Sequence, residues 1–315
     1  MKIEEINGLI LVDKAEGMTS FGVDSALKKI LGTKKTGHIG TLDPFATGLL
    51  PVCVGKGLRF VRFADGYDKA YRCTCVFGKF TDTMDLEGEV IGGREPTEEE
   101  MAELKENDYA PIREAFNKAS KMTSQLPPKY SAKKINGKKA YELAREGKEV
   151  ELKPVPVKIY GIDIISIEIV DGAIDVVFDV RCSKGTYIRE ICNSVGEMTG
   201  FGAYAKTLRR TANGPFDVAN AFTLEQIRVL SEVDDTSFFI DASEIITDMP
   251  SLELNDKEIA DIRLGRKLLT DRFKDQLTLE QGAFYKVTSG EQVVAVVYEA
   301  LEKGRSILRI ERMLG

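Results

Sequence analysis

The residue types able to do chemistry concentrate in one glycine-punctuated stretch, TKKTGHIGTLDPFATGLLP, from Thr33 to Pro51. It carries the single histidine of the chain, His38, and an aspartate, Asp43, followed by Pro44. A proline biases the residue before it toward extended backbone, so the Asp43 carboxylate rides on a stiff loop and suits a nucleophile or proton acceptor. The same Asp-Pro pair could also do no more than shape a turn. One histidine leaves no imidazole cluster for a metal, so proton transfer falls to carboxylate, Tyr or Lys. The five cysteines, Cys53, Cys73, Cys75, Cys182 and Cys192, contain no Cys-x-x-Cys pair. That spacing argues against a zinc site and a disulfide framework, and they are expected to be reduced and mostly buried.

The elements that must position this loop are legible around it. The apolar run Gly8 to Asp13 predicts a buried strand. A helix follows, capped by Thr19 or Ser20, with Val23, Ala26, Leu27 and Ile30 on one face and Gly32 as its stop. After the loop a strand is expected around Pro51 to Gly55, and another at Tyr71 to Phe77, where apolar residues alternate. TDTMDLEGEV reads as a turn entering a further strand, and helical spacing dominates Thr97 to Lys118. Val157 to Val170 and Ala173 to Cys182 read as antiparallel strands joined at Asp171-Gly172, with helices over about 187–199 and 224–231. A short helix at Asp256 to Leu264 and β-like runs from Phe284 onward suggest a small β-rich module after an acidic stretch, Glu232 to Asp235.

At 315 residues, 43% hydrophobic and 30% charged, with no apolar run long enough to cross a bilayer and no secretory signal at the acidic N-terminus, the chain reads as a globular, cytoplasmic protein with no membrane partner. The formal net charge of −6 weighs against a nucleic-acid partner unless basic residues cluster locally. Lys129, Lys133, Lys134, Lys138, Lys139 and Lys153 do cluster, within a segment Ser120 to Pro156 that reads as a basic arm with a short amphipathic helix near Lys138 to Glu146. The intermixed Glu142, Glu146, Glu149 and Glu151 would equally suit a solvated helical face.

The pattern GHxGTLDPxATGLL, filled at every position by residues 37–50, resembles the signature loop of the TruB family of pseudouridine synthases. Further matching segments run in family order: Asp13 to Ser20, Asp68 to Arg72, Thr81 to Gly88, Gln125 to Gly147, Cys182 to Arg189 and Gly202 to Arg210. The resemblance covers roughly residues 7 to 230. It implies an α+β pseudouridine synthase fold, with a largely antiparallel mixed sheet and a catalytic cleft in residues 1–240. Residues of about 120–156 would form a thumb closing on the tRNA T-arm, and residues 250–315 a PUA-like RNA-binding domain. The implied reaction detaches uracil from ribose at N1 and reattaches it through C5, at position 55 of the tRNA T-loop. No cofactor or obligate protein partner is needed.

On the same resemblance Asp43 is the nucleophile, Arg189 its ion-pair partner, and Tyr71 the tyrosine that stacks on the uracil and manages the C5 proton. His38, Tyr187, Leu208, Lys14, Arg59 and Lys134 fall at substrate- or RNA-contacting positions. Because the target base is stacked in folded tRNA, it must be flipped out, with His38 helping to hold the opened loop. Ala15 departs from the usual Pro of the opening motif and Val155 from a commonly basic position; neither touches the implied chemistry. Two rivals remain open: an RNA-binding, tRNA-folding chaperone, and a guide-RNA-dependent relative acting inside a multiprotein particle.

Overall fold

The computed structural model describes residues 8–64, 66–130, 152–273, 275–280, 282–290 and 292–314, with the backbone alone at 134–135, 138–139 and 292. The chain divides at Ile240/Asp241 into two compact units.

In chain order the first unit contains β1 (Gly8–Lys14), α1 (Ser20–Ile30), β2 (Thr36–His38), β3 (Thr47–Val54), β4 (Lys69–Phe77), β5 (Phe80–Thr81), β6 (Val90–Gly92), α2 (Glu98–Glu106), α3 (Ala110–Ala119) and β7 (Ser124–Gln125). It continues through β8 (Lys134–Ile135), β9 (Lys138–Lys139), β10 (Val155–Pro156), β11 (Ile159–Val170), β12 (Ala173–Cys182), α4 (Ile188–Thr199), β13 (Ala203–Asn213), β14 (Phe216–Asp217), α5 (Leu224–Glu232) and β15 (Phe239–Ile240). The main sheet runs β11-β12-β4-β13-β3-β1-β15. Its ladder is antiparallel except where Arg209 and Arg210 of β13 pair in parallel with Thr47 and Gly48 of β3. This is the mixed, largely antiparallel sheet expected.

Alternation explains how one face of the sheet is buried. Cys73, Cys75 and Phe77 of β4 and Val176, Phe178 and Val180 of β12 join the core, while Arg72, just before Cys73, stays exposed and Thr74 is half-buried. Helices α3 and α4 supply the covering layer with Ile112, Ala115 and Phe116, and with Ile188, Ile191, Cys192 and Val195. The Phe116 and Phe178 rings lie 4.9 Å apart, each such burial contributing about 1.5–3 kcal/mol. All five cysteines are free and buried, as expected.

Several elements differ from the sequence reading. The strand after the loop starts at Thr47, not Pro51, because β3 pairs with β1 from Gly48 to Val54 and Thr47 pairs with Arg209 of β13. Part of the loop is itself strand, β2, paired with β3 from Thr36 to His38. The Thr97–Lys118 region is two helices, broken where Asp108 and Tyr109 both take positive φ. At Lys138–Lys139 the backbone is strand, paired with Lys134–Ile135, where a helix was expected; the rest of that helix lies outside the described residues.

The second unit holds β16 (Ser251–Glu253), α6 (Asp256–Arg263), β17 (Leu268–Leu269), β18 (Phe284–Ser289), β19 (Gln292–Glu302) and β20 (Arg305–Met313). They form a five-stranded sheet, β16-β18-β19-β20-β17, around a core of its own that includes Leu252, Phe273, Tyr285, Val287 and Leu308.

Candidate active site

Asp43 lines a cavity of about 420 Å³ together with Thr41, Lys69, Tyr71, Lys184, Tyr187, Arg189, Leu208 and Arg210. Of the residues singled out from sequence, Asp43, Tyr71, Tyr187, Arg189 and Leu208 therefore meet around one space.

The loop carrying Asp43 is tied down on every side. Thr19 caps α1 by accepting from the Gly22 N–H, which frees Ser20 to bond the Leu42 backbone twice: its hydroxyl accepts from Leu42 N–H at 2.9 Å and donates to Leu42 O at 3.1 Å. Arg210 donates to Gly40 O at 2.9 Å and to Leu49 O at 2.7 Å, bracketing the loop. Gly48 has φ +97°, and a Cβ there would stand 2.4 Å from Arg210 O, so only glycine lets β13 come this close.

Arg189, second residue of α4 and 4% exposed in its side chain, makes the ion pair that the resemblance implies, Nη2 to Asp43 Oδ2 at 3.0 Å. Its other nitrogen, Nη1, pairs with Asp85 Oδ2 at 3.0 Å and donates to Thr83 O at 2.8 Å. Asp85 is fixed in turn, accepting from the Thr83 hydroxyl and the Glu87 N–H. One guanidinium thus serves two carboxylates. Asp43, its side chain 37% exposed toward the cavity, is held above the usual carboxylate range, chiefly by desolvation; Arg189 and Lys14 oppose that shift and Asp85 adds to it.

Tyr71 lies directly opposite Arg210 on neighbouring strands. Burial pushes its phenol up, and the positive charge of Arg210 counters the shift. Tyr187 is placed by Gln125, whose amide grips its backbone at both ends: Tyr187 N–H donates to Oε1 at 2.9 Å and Nε2 donates to Tyr187 O at 3.2 Å.

Three further residues expected at the RNA are not part of the cavity lining. Lys14 is 1% exposed and donates to the carbonyls of Ala15, Met18 and Pro44; desolvation lowers its pKa to about 8. Its ammonium is thereby held by backbone carbonyls inside the protein. His38 sits beside the cavity, with Nδ1 2.8 Å from Asp24 Oδ2, Nε2 3.1 Å from Thr41 Oγ1 and Phe21 edge-on at 5.0 Å. Arg59 is exposed on the 3-10 helix Gly55–Phe63, away from the cavity lining. Only the backbone of Lys134 is among the described residues. The residues that sequence reasoning missed are Asp85, Lys69, Lys184 and Arg210; each falls inside a quoted family segment, and none carries a local signal of its role.

A rigid loop presenting a carboxylate to a cavity ringed by cations and an aromatic fits an enzyme that works on a polyanionic substrate with a planar ring. A sequence model described as TruB family pseudouridylate synthase (N terminal domain) matches residues 28–188, and one described as tRNA pseudouridylate synthase B C-terminal domain matches 189–245. The tRNA pseudouridine synthase B of Syntrophotalea carbinolica is 36% identical, covering 88% of this chain and 87% of its own. That of Streptococcus gordonii is 38% identical over 93% of this chain and 95% of its own. Among solved structures, a Cbf5-Nop10-Gar1 complex aligns with TM-score 0.71 at 24% identity over 99% of this chain and 86% of that one. An H/ACA RNP bound to a substrate RNA containing 2'-deoxyuridine aligns with TM-score 0.67 at 22% identity over 98% and 85%. These two likenesses show the pseudouridine synthase fold. The chain belongs to the TruB family of pseudouridylate synthases, and it is an isomerase of that kind.

Proposed function

We propose that this chain isomerises uridine to pseudouridine at position 55 in the T-loop of tRNA, with Asp43 as nucleophile on a flipped-out nucleotide. The observation that carries the reading is the 3.0 Å pair between Asp43 and Arg189 at the edge of a cavity that also receives Tyr71 and Leu208. In the reaction the N1–C1' bond breaks, C5 bonds to C1', the C5 proton leaves and N1 takes one up, so atoms balance without a cofactor. Arg189 keeps Asp43 in its charged form against desolvation, Tyr71 stacks on the base and accepts the C5 proton, and Leu208 and Tyr187 close the sides. The second unit and the basic arm add grip on the RNA.

The test is tritium release from an unmodified tRNA transcript labelled at uridine C5, using the purified protein alone. Release that stops with Asp43→Asn and with a cytidine at position 55 is the expected outcome. A protein that refolds tRNA and whose activity survives Asp43→Asn would be a chaperone. Release only after other proteins and a guide RNA are added would make it a guide-dependent enzyme, and either result removes the proposal.

A further inference from the structure

His38, which the resemblance sets against RNA, is nearly closed off from solvent. Its side chain is 9% exposed, with Nδ1 2.8 Å from Asp24 Oδ2 and Nε2 3.1 Å from Thr41 Oγ1. Both ring nitrogens are engaged within the protein, so the imidazole has neither left for a base edge. Against it stands Phe21, its ring perpendicular to the imidazole with the centroids 5.0 Å apart. At 59% exposure Phe21 is the most open aromatic residue among the described ones.

A lone exposed apolar side chain is ordinary; what distinguishes this one is where it is held. Thr19 caps α1 through the Gly22 N–H, Ser20 bonds both backbone groups of Leu42, and the Ser25 hydroxyl donates to Phe21 O at 2.9 Å. The backbone of Phe21 is thus fixed to the loop that carries Asp43. Through His38 its ring reaches Thr41, a lining residue of the cavity. The exposed Lys34 and Lys35 lead into β2, which ends at His38, so positive charge adjoins the ring.

We infer that Phe21 is a stacking platform for a nucleobase of the RNA loop, one that loses a neighbour when the target nucleotide is drawn into the cavity. The inference rests on the function proposed above. Extruding a base costs the loop its stacking on either side. An aromatic ring beside the point of entry restores part of that contact without reading sequence. A phenyl ring also has no hydrogen-bonding group to be left unsatisfied when a base covers it. In this arrangement His38 backs the Phe21 ring, and Phe21 is what the RNA meets.

The chain contains no tryptophan, so Phe21→Trp places a single indole emitter in the full-length protein. Titration with an unmodified tRNA transcript should quench its emission, with Kd within about twofold of the unaltered protein because the platform is kept. Phe21→Ala should weaken tRNA binding about tenfold or more, the loss of one base stack. Neither Tm nor the slope of log Kd against log salt should change, since no charge is removed. Transcripts carrying an abasic nucleotide at successive T-loop positions locate the base: at one of them Phe21→Ala should cost less than about twofold. Unaltered indole emission at saturating tRNA, an unchanged Kd in Phe21→Ala, or an equal loss on every abasic transcript would reduce Phe21 to a cover for His38 and overturn the inference. All of these are binding measurements, so absence of tritium release from the unaltered protein would remove the proposed function and leave the stacking role in place.

Discussion

A carboxylate that must be ionised is poorly served by a half-closed cavity, and the way Asp43 is handled makes its neighbours measurable. Its charge is opposed by desolvation and by Asp85, and supported by Arg189 and Lys14. Replacing Asp85 by Asn deletes a like charge and leaves Arg189 to Asp43 alone, so the Asp43 pKa falls. Since the ionised form is the active one, the acid limb of the single-turnover pH profile should move to lower pH. Arg189 also loses one of its fixed points, so the plateau rate should drop by about tenfold or more. A profile whose acid limb stays in place would mean that Asp85 does not share the field of Asp43. Lys14 gives the opposite kind of prediction. Its three carbonyl bonds are internal, so Lys14→Met should cost about 2–4 kcal/mol of stability, seen as a lowered Tm. The salt dependence of tRNA binding should not change. From sequence, Asp43, Tyr71 and Arg189 were legible because their spacing matched a known pattern. The burial of Lys14 was not, because a lysine on a strand edge and a lysine folded under its own loop look alike until the loop is closed.

At the scale of elements, the site depends on one strand that the sequence reading left without a secondary structure. In GAYAKTLRR, charged residues interrupt the alternation that marks other strands, and only pairing reveals β13 at the centre of the sheet between β4 and β3. Its charges are absorbed there: Arg209 pairs with Asp13 at 2.7 Å, Lys206 with Asp175 at 2.8 Å, and Arg210 turns to the loop. By contrast, β1 was readable as an unbroken apolar run buried on both faces, and α1, β12 and α4 each as an apolar face with a cap or turn at its end. The parallel contact of β13 with β3 is closest at Gly48, where φ is +97° and an added methyl would lie 2.4 Å from Arg210 O. Gly48→Ala should therefore push the two strands apart, destabilise the fold by about 1–3 kcal/mol and lower the rate more than the RNA affinity. Thermal unfolding together with single-turnover rates would show it. An alanine variant with unchanged Tm and rate would mean that the approach at Gly48 is not needed.

At the scale of the whole molecule, a net charge of −6 must still admit a polyanion. The Lys-rich arm offers one answer, but most of it lies outside the described residues, and the first unit offers another. Between residues 28 and 62 there are seven Lys and Arg against one carboxylate, Asp43, which is already paired with Arg189. The elements holding them adjoin: β2 packs against α1 and the 3-10 helix Gly55–Phe63, and Gly55 N–H donates to Lys35 O at 2.9 Å. Lys29, Lys34, Lys35 and Arg59 are exposed on this face, and His38 ends the same β2 strand that leads to the catalytic loop. A phosphate backbone following that face releases counterions in proportion to the cations engaged, at a slope of about 0.7–0.9 per contact. Reversing Lys29, Lys34 and Lys35 to Glu should thus weaken tRNA binding and flatten the plot of log Kd against log salt by about 2–3. The single-turnover rate at saturating RNA should hold, because none of the three lines the cavity. Filter binding from low to moderate salt measures the slope. An unchanged slope would return the whole electrostatic task to the arm, and a lost rate at saturation would mean that the face shapes the site as well as holding the RNA.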